Sequence, residues 1–283
     1  FKSHGVPLRA KVFAHIGIIN SLAIRLPKLS NFILQNSLSG ALIKKILGVA
    51  PERSLPPLAP QSLHRWYRRH FRPQPGPKKK SLYFFCDAFT NYNDTAIGIK
   101  AIQLLDRLGY EVKMINNAES GRAAISKGLL DKAKKEATQN VKLFSGLVST
   151  NCPLVGLEPS AILSFRDEYP KLVDSPWQKK AKDLAKDSLL LEEFLAQEIR
   201  AFRIQASDFT KRSAQLLVHG HCHQKALTKL SDAFTVLSLP THYQVKLMKT
   251  GCCGMAGSFG KEKEHYANSK KIPPYHRLPR KEG

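Results

Sequence analysis

Acidic residues are nearly absent from the first quarter of this 283-residue chain: between Phe1 and Lys80 stand 15 Lys or Arg against a single acid, Glu52. The whole chain carries 45 basic and 22 acidic side chains, a formal charge of +23, so most of the excess is concentrated there. Such a surplus asks for an anionic partner or surface. No helix-turn-helix, zinc-finger spacing or aromatic-interleaved basic sheet accompanies it, which argues against nucleic acid. Long apolar runs are missing too. Without a stretch of about 18 uncharged apolar residues, a membrane-spanning helix is excluded. The Lys- and Arg-punctuated start lacks a cleavable signal pattern. The expected location is the cytoplasm, with peripheral contact to the inner face of the cytoplasmic membrane open to the basic segment. Cysteine is scarce as well: five in all, two of them adjacent, which is no disulfide framework and fits thiol or metal chemistry in a reducing compartment.

What is present suffices for a folded protein. At 42% hydrophobic residues the chain can bury a sizeable core and fill two domains. Apolar residues recur at helical spacing from Val12 to Val49, broken at Pro27 and Gly40, which predicts short basic amphipathic helices over 1–50. A Pro-rich basic linker is expected over 51–80, interrupted by the aromatic-basic patch His64–Arg69. From Ser81 the pattern becomes strand, helix, strand, helix, strand: Leu82–Phe85, Thr95–Leu108, Glu111–Ile115, Leu129–Leu147, Leu154–Leu157. Apolar β runs alternating with amphipathic helices predict an α/β fold with a parallel sheet, here a first unit over 81–175. A connecting charged helix, about Gln178–Phe202, is expected within 176–212, and a second unit of the same kind over 213–283. The chain begins at Phe1 rather than Met and closes on a run, 270–283, that continues no earlier pattern, so a fragment of a longer polypeptide is expected, with an inactive gene remnant as the alternative.

The two units are related. Tyr110–Gly128 (YEVKMINNAESGRAAISKG) aligns without a gap onto Tyr243–Lys261 (YQVKLMKTGCCGMAGSFGK), placing Gly121 on Gly254. Cys252 and Cys253 of the second copy stand where the first has Glu119 and Ser120, so the first copy reads as a scaffold without ligands. The chemistry concentrates in His219-Gly-His-Cys-His223 and Gly251-Cys-Cys-Gly-Met-Ala-Gly257, each directly after a predicted strand. Strand C-terminal ends line the crevice of an open α/β sheet, where Cys222, Cys252 and Cys253 can converge. Glycines around the cysteine pair let the backbone approach a bulky cluster, and their amides can bond to its sulfides. The plain alternatives are buried thiols, a vicinal disulfide, and zinc held by thiolate and imidazole, with His221 or His223 as the added donor. Cys86 and Cys152 read as core thiols.

His221-Cys-His-Gln-Lys-Ala-Leu227, together with Gly251-Cys-Cys-Gly-Met-Ala-Gly-Ser-Phe-Gly260 and Glu262–Tyr266, resembles the cysteine-rich CCG domain. That domain occurs in heterodisulfide reductase B subunits, glycolate oxidase iron–sulfur subunits and anaerobic glycerol-3-phosphate dehydrogenase C subunits. Asp87–Tyr92, Gly121–Gly128 and Val155–Ser160 narrow the resemblance to the C-terminal part of FAD-linked D-2-hydroxyglutarate or D-lactate dehydrogenase-type oxidases. The resemblance implies two related Rossmann-like parallel-sheet subdomains, a duplicated CCG domain whose first copy lacks ligands, preceded by basic amphipathic helices. It implies an iron–sulfur cluster of the 4Fe–4S type held by Cys222, Cys252 and Cys253. It also implies a flavin domain, on the same or another polypeptide, that carries FAD and oxidises a 2-hydroxy acid, and a quinone or other acceptor for the electrons. The chain departs from the pattern in four places. It has no FAD-binding half and no C-x-x-C-x-x-C-x-x-x-C-P run; Glu119 and Ser120 replace a cysteine pair; Ala161 follows Glu158-Pro-Ser160 where cysteine is frequent; and the cysteine expected beyond Tyr266 is absent. Three thiolates are an incomplete set for such a cluster.

Overall fold

A computed structural model describes residues 5–272; the expectations resting on Phe1 and on the closing run from 273 onward lie outside these residues. The predicted basic segment forms four short helices, Leu8–Ala14, Ile16–Ala23, Pro27–Gln35 and Ser37–Ile46. Pro27 starts the third, where its missing N–H costs nothing. Asn36 caps the fourth, its side-chain oxygen accepting from the amides of Leu38 (3.0 Å) and Ser39 (3.3 Å).

Four parallel strands follow: β1 (Lys80–Phe85), β2 (Tyr110–Lys113), β3 (Leu154–Gly156) and β4 (Ser188–Leu190), in spatial order β2-β1-β3-β4. Alternation along β1 sends Leu82 and Phe84 into one core, with Ile102, Leu105, Tyr110 and Phe194, and Phe85 into the other, with Phe144, Leu154, Phe165 and Tyr169. Both faces of this sheet are therefore covered by helices, as the apolar β runs require. A second parallel pair, β5 (Ala214–Val218) and β6 (Tyr243–Leu247), stands apart from it. The α/β class and the parallel sheets are thus as expected, and among the described residues no helix is long and apolar enough to cross a membrane.

Two expectations of the organisation change. The continuous charged helix over 178–202 is instead the helix Ser175–Lys186, β4, and the helix Leu191–Arg200. No Gly or Pro marks the break, so the helical spacing of charges runs straight through it. The break is tertiary. β3 offers an open edge that Ser188–Leu190 completes, and the Arg166 guanidinium bonds the Ser188 carbonyl (2.8 Å) and both oxygens of Glu193 (2.9 and 2.6 Å). Glu193 in turn accepts from the Leu190 amide at 2.9 Å and so starts the next helix. The Pro-rich stretch is not a free linker either. Leu58, Ala59 and Leu63 are buried, the Ala59 amide donates to the Tyr92 carbonyl at 2.8 Å, and Asn31 bonds both backbone groups of Leu58 at 2.8 Å.

The repeat extends further than the aligned segment. Lys80 faces Tyr110 in the first strand pair and Ala214 faces Tyr243 in the second. That equivalence carries Asp87 onto His221 and Ala88 onto Cys222, and the structure agrees: Asp87 caps the helix Ala88–Tyr92 as His221 caps the helix Cys222–Leu227. Gly121 and Gly254 both take the left-handed conformation, at φ 76° and 73°. All three thiol positions of the second copy are thus Ala, Glu and Ser in the first.

Candidate metal centre

The C-terminal ends of β5 and β6 hold the two cysteine-bearing loops side by side. Beyond β5, the segment His219–His221 leads into the helix begun by Cys222. Beyond β6, the Met248 amide still bonds the Val218 carbonyl at 2.9 Å, and the chain then opens into Thr250-Gly-Cys-Cys-Gly254. Cys222 and Cys252, thirty positions apart in sequence, thus come to lie on neighbouring loops, close enough to influence each other's ionisation. Cys252 is exposed; Cys222 and Cys253 are half-buried, and none is in a disulfide.

The electrostatics of the thiols are unequal. The Gly254 amide donates to the Cys252 sulfur at 3.3 Å and is the main reason its pKa lies below that of an ordinary thiol. The bonds from Cys222 and Cys253 and the charge of Lys225 act in the same direction. Cys222 is shifted upward, by burial first and then by donating to Cys252. Of the two, Cys252 is the more acidic thiol.

Gly254 is required for that amide to face the sulfur. Its φ of 73° is disfavoured for any residue with a Cβ, and a Cβ there would sit 2.5 Å from the Ser269 carbonyl oxygen. At Gly251 and Gly257 the opposite holds: a Cβ would meet nothing within 4 Å, so open space borders the thiols. Softness of the donors, an amide aimed at sulfur and room beside the loop fit an iron–sulfur cluster in kind. In number the three thiols fall one short of a four-cysteine set.

The histidines are occupied in shaping the loops. The Nδ1 of His221 accepts from the His223 amide at 3.2 Å, while Gln224 returns a bond to the His221 amide at 3.3 Å. The rings of His221 and His223 stack at 5.7 Å. His219 bonds the Thr250 hydroxyl, tying one loop to the other. Burial first, then the positive charge of Arg122, lowers the pKa of both His221 and His223. Of the remaining cysteines, Cys86 is a core thiol, its pKa driven well up by burial. Cys152 is not: it lies half-exposed in the turn before β3.

Three features escaped the sequence reading. Lys225 bridges the two loops, Arg122 of the first repeat directs its charge at the second repeat's histidines, and the turn Gly48–Ala50 is stitched to Lys261–Lys263 just beyond the cysteine loop. Lys225, Arg122 and Lys261 all lay in segments already singled out, but nothing in their spacing showed what they would touch. A donor cluster of Glu262, Glu264 and His265 also gathers there, but Arg9 and Lys127 neutralise it, with Lys127 to Glu262 and Arg9 to Glu264 both at 2.6 Å.

Comparison with known proteins agrees with the motifs. The chain is 25% identical over 271 residues to D-2-hydroxyglutarate dehydrogenase of Escherichia coli, covering 93% of this chain and 26% of that protein. It is equally identical, again over 271 residues, to the C subunit of anaerobic glycerol-3-phosphate dehydrogenase from the same organism, of which it covers 66%. Lactate utilization protein A of Shouchella clausii is 26% identical over 185 residues, 63% of this chain and 73% of that protein. No family model and no solved structure matches the chain. It spans about a quarter of the D-2-hydroxyglutarate dehydrogenase and about two thirds of the glycerol-3-phosphate dehydrogenase C subunit. This chain is thus a relative, over nearly its whole length, of a segment that D-2-hydroxyglutarate dehydrogenase and the C subunit of anaerobic glycerol-3-phosphate dehydrogenase have in common, as its CCG motif implied.

Proposed function

We propose that this chain is the iron–sulfur electron-transfer module of an FAD-dependent 2-hydroxy-acid dehydrogenase of the D-2-hydroxyglutarate, D-lactate or glycolate type. The observation that carries the reading is the placement of the Cys222 loop and the Cys252–Cys253 loop side by side at the ends of a parallel strand pair, with the Gly254 amide on the Cys252 sulfur. Cys222, Cys252 and Cys253 would hold a cluster of the 4Fe–4S type, one protein ligand short of a full set. Such a group supplies one-electron transfer. The chain's own residues set its surroundings: Gly254 donates to sulfur, Lys225 and Arg122 bring positive charge, and His221 and His223 flank Cys222. A flavin domain beyond this segment would deliver the electrons, and a quinone or another acceptor would take them.

The basic helices fit a docking role in that assembly. Leu22, Leu26, Leu29, Phe32, Leu38 and Leu42 expose their side chains beside Arg25, Lys28, Lys44 and Lys45. We assign this face first to the flavin-bearing part and second to an anionic membrane surface on the cytoplasmic side.

The test is anaerobic reconstitution of the wild type and of the Cys252→Ser/Cys253→Ser double variant. Iron and acid-labile sulfide should bind to the first with visible charge-transfer absorbance and be lost from the second. Equal iron and sulfide in both would refute the assignment. A second reading, a zinc-stabilised module without redox chemistry, is favoured by the imidazoles next to Cys222. One colourless zinc per chain would select it.

A further inference from the structure

Two observations on the thiol loops point to one side chain. The cysteine loops belong to different βα connections, and among the described residues no strand ladder continues past Met248 to hold them together. Lys225 lies on the helix begun by Cys222, one turn further on and so on the same face. Its ammonium donates to the Thr250 carbonyl at 2.9 Å and to the Gly251 carbonyl at 2.7 Å, the two residues that lead into Cys252. One cation thereby fixes the backbone of the second loop to the helix that carries the first thiol. The Thr250 hydroxyl, bonded to His219, secures the same residue from the strand side.

We infer that Lys225 is a positioning residue for the metal centre: its ammonium staples the Thr250–Gly251 backbone to the Cys222 helix and so sets the approach of Cys222 to Cys252. It touches neither sulfur as a ligand; its effect is on how often the two loops present their thiols together. The inference rests on reading these cysteines as one ligand set. A neutral side chain of similar length would leave the helix intact but free the second loop to move away. Arginine, with several donors, can reach both carbonyls.

The closing experiment needs no bound metal. In a Cys253→Ser background, the metal-free protein is equilibrated anaerobically in glutathione buffers, and the Cys222–Cys252 disulfide is quantified by peptide mapping. One glutathione disulfide is reduced to two glutathione for each protein disulfide formed, so the equilibrium constant is the effective concentration of one thiol at the other. Relative to the protein retaining Lys225, Lys225→Met should lower it about tenfold or more, the scale of losing hydrogen bonds from a charged donor. Lys225→Arg should restore it to within a few-fold. Far-UV circular dichroism and urea midpoints keep the comparison among folded proteins; should Lys225→Met fail to fold, Lys225→Gln takes its place. Unchanged effective concentration in the neutral variant, or no recovery with arginine, would overturn the inference. Loss of iron binding by the wild type would count against the electron-transfer reading alone and leave this result standing.

Discussion

Glu119 occupies the position in the first repeat that Cys252 holds in the second, and its replacement by glutamine should stabilise the protein in a pH-dependent way. Its carboxyl lies against Gly17 of the helix Ile16–Ala23, where even a methyl group would collide with it. Burial first, then the negative charges of Glu136 and Asp87, raise its pKa from 4.5 to about 7, with Lys132 opposing. The folded protein therefore keeps a proton that the unfolded chain has released between about pH 4.5 and 7. Stability falls as pH rises through that window, and above pH 7 the whole penalty is present. At 1.36 kcal/mol per pH unit the shift corresponds to at most about 3 kcal/mol, and about 2 kcal/mol is expected because the side chain retains some contact with water. Glu119→Gln keeps the shape and removes the charge. Urea unfolding at pH 4, 6 and 8 should show no gain at the lowest pH and a gain of about 2 kcal/mol at the highest. A gain that does not vary with pH, or a loss at pH 8, would refute the reasoning. Asp87, raised by burial to about 6, titrates with the same sign in both proteins.

The paired glycines offer a comparison of the two copies. Gly121→Ala should cost about 1–2 kcal/mol for the left-handed conformation, since a Cβ there would press the Ala133 carbonyl oxygen only slightly, at 3.3 Å. Gly254→Ala adds a collision with the Ser269 carbonyl oxygen at 2.5 Å and should cost about 2–4 kcal/mol, with the amide turned from the Cys252 sulfur. Equal urea midpoints for the two variants would contradict this account. For the basic helices, sedimentation with anionic vesicles at low and at physiological salt separates the two assignments of their face. Salt-sensitive binding would favour the membrane, and no binding at either salt would leave the flavin-bearing part.

Much of this was legible in the amino-acid order, because it depends on local periodicity. Alternation in Leu82–Phe85 and helical spacing in Thr95–Leu108 are properties of short segments, and the structure places both within two residues of expectation. The relation of the copies was likewise visible where Gly121 and Gly254 demand the same backbone. The glycines around Cys252 and Cys253, and the imidazoles around Cys222, marked the site by composition alone. β4 was not legible, since Ser188–Leu190 carries no breaker and becomes a strand only because β3 leaves an edge to complete and Arg166 waits for Glu193. Nor was the equivalence of Ala88 with Cys222, which rests on strand register rather than on residue identity.

The sequence by itself determined the class of fold, the repeat and the residues able to bind a soft metal, because side-chain chemistry and spacing are local. Only the tertiary structure decided which of them meet. It set the Cys222 loop beside the Cys252 loop, lodged Glu119 against Gly17 where burial holds its proton to near neutral pH, and placed Lys225 across two loops. Each of these depends on how two distant segments are oriented, and orientation is set by the packing of whole strands and helices.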